Sequence, residues 1–141
     1  YGLILGWTSI KSEISIVPII FYIGAIFWTL GYDTIYGFQD IKDDEIIGVK
    51  STSIKFKKNP KFFILLCYLV FIVILTYLGI LMNFNKIYFG GLILVAMHLF
   101  IFQIKNLNTN LSSNCLKIFK SNNFLVLLIF LNLLIRKIIT Q

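Results

Sequence analysis

Residues 62–82 read FFILLCYLVFIVILTYLGILM, a run without a single charged side chain. At about 1.5 Å of rise per residue, a helix of that length crosses a hydrocarbon layer of roughly 30 Å. A chain in that layer has no water to satisfy its N–H and C=O groups, so it must pair them internally, and an apolar run does so as a helix. Two further runs flank the first: Ile14–Tyr32, with Pro18 in its opening turn, and Ile87–Ile104, with Gly90 and Gly91 near its start. Phe124–Ile139 is a shorter one, interrupted by Asn132 and by Arg136 and Lys137, whose long stems reach back to the interface. Residues 1–10 read as the end of another span. The expected fold is all-α, a multi-span transmembrane bundle of four to five helices.

Composition agrees. The chain is 58% hydrophobic and 13% charged, against about 45–50% and about 25% in soluble domains. The net charge of +7 would suggest nucleic acid in a soluble protein. Here the lysines lie in the connections between apolar runs, which assigns them to topology and anionic headgroups and leaves nucleic acid out. Lys42, Lys50, Lys55, Lys57, Lys58 and Lys61 fall in one connection, and Lys105, Lys117 and Lys120 in the next but one. Lys11 and Lys86 are alone in the alternate turns. The two basic connections therefore share a face, which the positive-inside rule makes cytoplasmic. Cys67 sits within a span as a packing residue, and no cysteine spacing signals a metal or redox pair.

The carboxylates are concentrated. Of the six acidic residues, Asp33, Asp40, Asp43, Asp44 and Glu45 lie within thirteen positions, and Glu13 stands apart. If this stretch is helical, Asp33, Tyr36, Asp40 and Asp44 form one stripe running from the end of a span into the polar loop 33–61. Carboxylates on one face repel unless a cation lies between them, and magnesium takes one or two carboxylates together with substrate phosphates. The plainer reading is a solvated loop whose acids favour a helix start and pair with the following lysines. The next residues, Ile46-Ile47-Gly48-Val49-Lys50-Ser51-Thr52-Ser53, offer a glycine turn, an ammonium and hydroxyls to a phosphate. They lack the second glycine and the preceding strand of a nucleotide-binding loop. His98, within a span, reads as a packing or pore-lining residue, Tyr36 equally as an interfacial aromatic, and Asn122 and Asn123 as helix caps.

The stretch Tyr32-Asp33-Thr34-Ile35-Tyr36-Gly37-Phe38-Gln39-Asp40-Ile41-Lys42-Asp43-Asp44-Glu45-Ile46-Ile47-Gly48-Val49-Lys50-Ser51-Thr52 resembles the second aspartate-rich motif of the UbiA family of intramembrane prenyltransferases, in its 4-hydroxybenzoate polyprenyltransferase branch. That motif runs YDTxYAxxDxxDDxxIGxKST, and Gly37 stands where alanine is usual. Gly6-Trp7 and the stretch from Cys115 to Asn123 resemble flanking family features, so the likeness is colinear with the whole chain. The resemblance implies a nine-helix inner-membrane enzyme of ubiquinone biosynthesis that uses Mg2+ to carry a polyprenyl group from polyprenyl pyrophosphate to 4-hydroxybenzoate. It makes residues 1–141 the C-terminal part of one transmembrane domain, since the family's first motif, NDxxDxxxD, does not occur here. By resemblance Asp40 and Asp44 bind metal, with Asp33 and Asp43 beside them. Lys50 faces the leaving pyrophosphate and Tyr36 the substrate.

Other readings use the same residues. Within the family the acceptor could be a naphthoate, a porphyrin side chain or a chlorin. Acids at a membrane edge also suit an ion-conducting protein, although the spans carry almost no acids to line a pore. A chain holding one aspartate motif of two would be a non-catalytic remnant, with no turnover expected of residues 1–141 alone.

Overall fold

The computed structural model describes residues 2–11 and 15–139. Glu13 and Ile14 lie outside them. Helix α1 covers Gly2–Lys11, α2 Ile16–Gly37, α3 Ile41–Ile47, α4 Thr52–Lys55 and α5 Pro60–Leu81. Helix α6 covers Lys86–Met97 and continues through His98–Lys105 in the wider π-helical winding; α7 covers Ser112–Lys120 and α8 Asn122–Ile139. No strand occurs among the described residues. Four helical stretches, Ile16–Gly37, Pro60–Leu81, Lys86–Lys105 and Ser112–Ile138, are long and apolar enough to cross a membrane.

Their starts follow from local chemistry. The Ser15 hydroxyl accepts the Val17 N–H at 3.3 Å and opens α2, and Pro18 in the first turn gives up an N–H that has no helical partner anyway. Pro60 opens α5 in the same way. Asn85 opens α6, its Oδ1 taking the Tyr88 N–H at 3.2 Å.

Two boundaries differ from the sequence expectation. The first span does not stop at Tyr32. It runs on to Gly37, so Asp33 and Tyr36 ride on the span helix and not on a loop. The polar stretch 105–123 is not a loop throughout, because α7 fills Ser112–Lys120 and is parted from α8 by Ser121 alone.

The core lies where α2, α5, α6 and α8 meet. Trp28 stacks on Phe71 at 5.6 Å between ring centroids, and Ile64, Cys67, Leu99 and Leu125 are buried around them. A buried polar chain ties the helices together. Tyr68 donates to Gln103 Oε1 at 2.6 Å. Gln103 Nε2 donates to Asn122 Oδ1 at 3.1 Å and to Ser121 Oγ at 3.2 Å. Trp28 Nε1 reaches the same Asn122 oxygen at 3.1 Å. In hydrocarbon such bonds act as interhelical glue. Gly91 has the role expected of a small residue: a Cβ there would fall 2.2 Å from Asn132 Oδ1, so α8 sits directly on α6. Gly90, with nothing within 4 Å of its Cβ position, has no such role. The outer faces are apolar, with Val73 63%, Ile80 62% and Ile93 63% exposed. Water would oppose that surface, and lipid tails accept it.

Candidate functional site

The end of α2 and the two short helices after it carry the motif. The α2 helix closes in a turn, with Phe38 N–H on Ile35 O at 3.3 Å and Gln39 N–H on Tyr36 O at 2.8 Å. The chain then restarts at Asp40, whose carbonyl accepts the N–H groups of Asp43 and Asp44, both at 3.0 Å. Gly48 ends α3 at a positive φ of 80°, where glycine meets no Cβ strain. The acids therefore ride on two pieces. Asp33 and Tyr36 belong to α2, while Asp40, Asp43 and Asp44 belong to the start of α3. The continuous stripe expected from spacing is cut at Phe38–Asp40, which leaves Asp33 and Tyr36 one turn apart on α2 and Asp40 and Asp44 one turn apart at the start of α3.

The carboxylates divide by partner. Glu45 is bound at both oxygens by Lys57 Nζ, at 2.7 and 2.8 Å. Asp33, Asp40, Asp43 and Asp44 make no side-chain hydrogen bond or ion pair with any described residue. Asp40 occupies a helix-cap position without using its carboxylate as the cap. All four lie at least partly in the open.

Asp40 and Asp43 line a cleft of about 520 Å³, shared with Gln39, Lys42 and Lys57 on one side and with Thr109, Asn110 and Ser112 on the other. The two polar connections thus meet at one end of the bundle. Gln39 Oε1 is buried there without a hydrogen-bond partner. Asp33, Asp44, Tyr36 and Lys50 are not in that lining. Lys50 is exposed just ahead of α4, and the lysines at the cleft are Lys42 and Lys57. Tyr36 packs on Phe119 of α7, with ring centroids 4.8 Å apart.

The donor set suits a hard cation, since every free acid offers oxygen only. Among the described residues no three His, Cys, Asp or Glu side chains converge on one point. A cation held by one or two of these carboxylates would complete its coordination with substrate phosphate and water, as magnesium does.

The hydroxyls of the motif have a different task from the one their spacing suggests. Thr34 Oγ1 donates to Leu30 O at 2.6 Å and accepts from Thr52 Oγ1 at 2.7 Å. Ser53, fully buried, donates to Thr34 O at 3.0 Å. Ser51 caps α4, its hydroxyl accepting the Ile54 N–H at 3.3 Å. These groups dock α4 onto the end of α2, and so hold the acidic helix between them. Sequence reading passed over Thr34, Gln39 and Phe119 as functional residues; the first two lie inside the quoted motif, which was the available signal. Asn122 is not the cap expected of it: its oxygen serves Trp28 and Gln103, and its amide nitrogen donates to Phe119 O at 2.9 Å. His98 is a packing residue, stacked on Phe102 at 5.1 Å and tilted against Phe124 at 5.6 Å.

Comparison with known proteins places the chain. The UbiA prenyltransferase family matches residues 1–134. A 4-hydroxybenzoate octaprenyltransferase of Francisella tularensis subsp. tularensis is 32% identical over 143 aligned positions, covering 100% of this chain and 48% of the relative. The mitochondrial 4-hydroxybenzoate polyprenyltransferase of Bos taurus is 35% identical over 136 positions, covering 96% of this chain and 36% of the relative. The chain thus spans half or less of the curated relatives it matches. No solved structure gives a significant match. With four helices fit to cross a bilayer and a family match over nearly its whole length, this chain is an integral membrane protein and belongs to the UbiA prenyltransferase family.

Proposed function

We propose that the protein containing this chain transfers a polyprenyl group from polyprenyl pyrophosphate to 4-hydroxybenzoate, with Mg2+, as a step of ubiquinone biosynthesis in the cell inner membrane. The acid-rich end faces the cytoplasm in this reading, because both lysine-bearing connections lie at that end. Asp40 and Asp44 hold the metal, with Asp33 and Asp43 beside them. Lys50 serves the pyrophosphate and Tyr36 the substrate. UbiA prenyltransferases are generally metal-dependent, and the printed names of the relatives supply the acceptor and the donor class.

The observation that carries the reading is the partition of the acids. Glu45 is neutralised by Lys57, while the four aspartates within the preceding twelve residues are left without side-chain partners among the described residues. Like charges at helical spacing cost roughly 0.2–0.5 kcal/mol per pair, a cost with no structural return here. Bound Mg2+ would supply Lewis-acid stabilisation of the departing pyrophosphate. The allylic C–O bond breaks with its electron pair on pyrophosphate, an aromatic carbon of the acceptor bonds to the allylic carbon, and the ring then loses a proton. The aspartates fix where the pyrophosphate sits, and Lys50 adds a mobile positive charge at its edge.

The test is magnesium-dependent transfer of labelled polyprenyl pyrophosphate to 4-hydroxybenzoate by the full-length gene product in membranes, with Asp40→Ala alongside. Loss of transfer in Asp40→Ala at normal insertion supports the reading. Equal transfer by both reduces Asp40 to a loop charge and sinks the mechanism.

A further inference from the structure

A second cleft lies beside the aspartate end, between α2 and the α7–α8 junction, with a volume of about 210 Å³. Its walls are aromatic. Trp28 and Tyr32, one turn apart on α2, meet edge to face at 5.2 Å, and Phe119 of α7 lies 5.8 Å from Tyr32. The indole is held in place twice, by its stacking on Phe71 and by its hydrogen bond to Asn122.

The polar groups at this cleft are of two kinds. Asn122 is spent, with its oxygen taken by Trp28 and Gln103 and its nitrogen by Phe119 O. Lys120 and Asn123 line the same cleft, and their side chains make no hydrogen bond or ion pair with any described residue. A fixed aromatic slot with an ammonium and an amide free at its lip is matched to a flat ring that carries an anion. The ring buries against indole, phenol and phenyl faces. The anion takes the lysine in a charge-assisted hydrogen bond and the amide N–H in a second. An apolar tail would leave both groups idle. The cleft is linked to the motif, because Tyr32 directly precedes Asp33 in α2 and Phe119 also packs on Tyr36.

We propose that this cleft seats the aromatic carboxylate acceptor, with Lys120 and Asn123 binding its carboxylate and Trp28, Tyr32 and Phe119 forming its walls. The inference rests on the aromatic-acceptor reading given above. It makes Lys120 a specificity residue: it selects acceptors that bear a carboxylate over phenols that do not.

The experiment uses the full-length protein in membranes with Mg2+, each substrate varied in turn while the other is saturating. Lys120→Met is expected to raise the KM for 4-hydroxybenzoate by about tenfold or more, the scale of a lost charge-assisted bond, without altering the KM for the donor. The preference for 4-hydroxybenzoate over phenol, taken as a ratio of kcat/KM, falls by the same factor, and Lys120→Arg restores most of it. An acceptor KM unchanged in Lys120→Met, with transfer intact, overturns the assignment and leaves the function standing. Equilibrium dialysis of labelled 4-hydroxybenzoate onto the same membranes separates the two readings when transfer is absent. Lys120-dependent binding without transfer supports the cleft and overturns the transfer reaction. Absence of binding overturns the cleft.

Discussion

Thr34 Oγ1 and Thr52 Oγ1 stand 2.7 Å apart, eighteen residues distant in the chain, and join the last turns of α2 to the short helix α4. Everything between them, the turn at Phe38–Asp40 and the acidic helix α3, is a loop closed by that contact. Thr52→Val keeps the shape and removes the bond. It should lower stability by about 1 kcal/mol, read as a drop in the thermal unfolding midpoint in detergent, while Thr52→Ser should hold it. Equal midpoints for valine and serine would mean that the hydroxyl pair carries no weight.

Gly37 and Ser53 are coupled. A Cβ at Gly37 would fall 2.2 Å from Ser53 Oγ and 3.2 Å from its Cβ. Alanine is otherwise favoured over glycine inside a helix by roughly 1 kcal/mol. Gly37→Ala alone is therefore expected to be neutral or destabilising. In a Ser53→Ala background it should cost less, because the obstructing oxygen is gone and only the Cβ contact at 3.2 Å remains. A double-mutant cycle on unfolding midpoints reads the difference, and additive effects would refute the coupling.

Gln103 is the hub of the buried polar chain, accepting from Tyr68 and donating to Ser121 and Asn122. Gln103→Leu leaves the Tyr68 hydroxyl, itself 0% exposed, without its acceptor. The expected loss is about 1–3 kcal/mol, the cost of an orphaned buried donor. Pairing it with Tyr68→Phe should recover part of that loss, since both partners are then apolar. A double variant no better than Gln103→Leu would place the stabilisation elsewhere.

Magnesium should stabilise the full-length protein through the unpartnered aspartates. A cation at a hundred times its dissociation constant adds about 2.7 kcal/mol, so Mg2+ should raise the unfolding midpoint and EDTA reverse it. Asp40→Asn and Asp44→Asn should each remove the response. Without Mg2+, either change should be neutral or slightly stabilising, because a like-charge pair is relieved. A magnesium shift that persists in both variants would move the cation away from α3.

Glu45→Gln is the contrasting case. Its ion pair with Lys57 is well exposed, with side-chain accessibilities of 52% and 39% for the pair. Exposed pairs contribute roughly 0–1 kcal/mol. The variant should keep the magnesium response and lose little stability. A lost response would enrol Glu45 among the metal ligands.

The spans were legible because each is a long apolar run, which in lipid pairs its backbone internally as a helix. Their ends were less so. Asp33 reads as the start of a loop, yet α2 continues past it, because the Thr34 hydroxyl folds back within 2.6 Å of Leu30 O and satisfies itself inside the helix. The residues of α7 alternate polar and apolar around the helix, so a reading by run length sees only a polar connection. The acids were visible in composition. The roles of the motif hydroxyls were not, because Ser53 and Thr52 find their partners on another helix. Local spacing carries no information about such a contact. The aromatic cleft was hidden for the same reason: Tyr32 and Phe119 share a wall but sit on elements that only the fold brings together.

The π-wound end of α6 sets a phase. Its α-helical part turns Tyr88, Leu92 and Val95 inward, and its wider part turns Leu99 and Gln103 inward. A wider turn holds about one residue more than an α turn, so it acts as an insertion absorbed without lengthening the span. Rewinding His98–Lys105 as ordinary α-helix with every residue kept would swing everything beyond it by about 100°. Gln103 would then face lipid, and the polar chain from Tyr68 to Trp28 would lose its middle link. The apolar character of the span would be almost unchanged, so a hydropathy profile would register nothing. The identity of this bundle is held in its winding as much as in its oiliness.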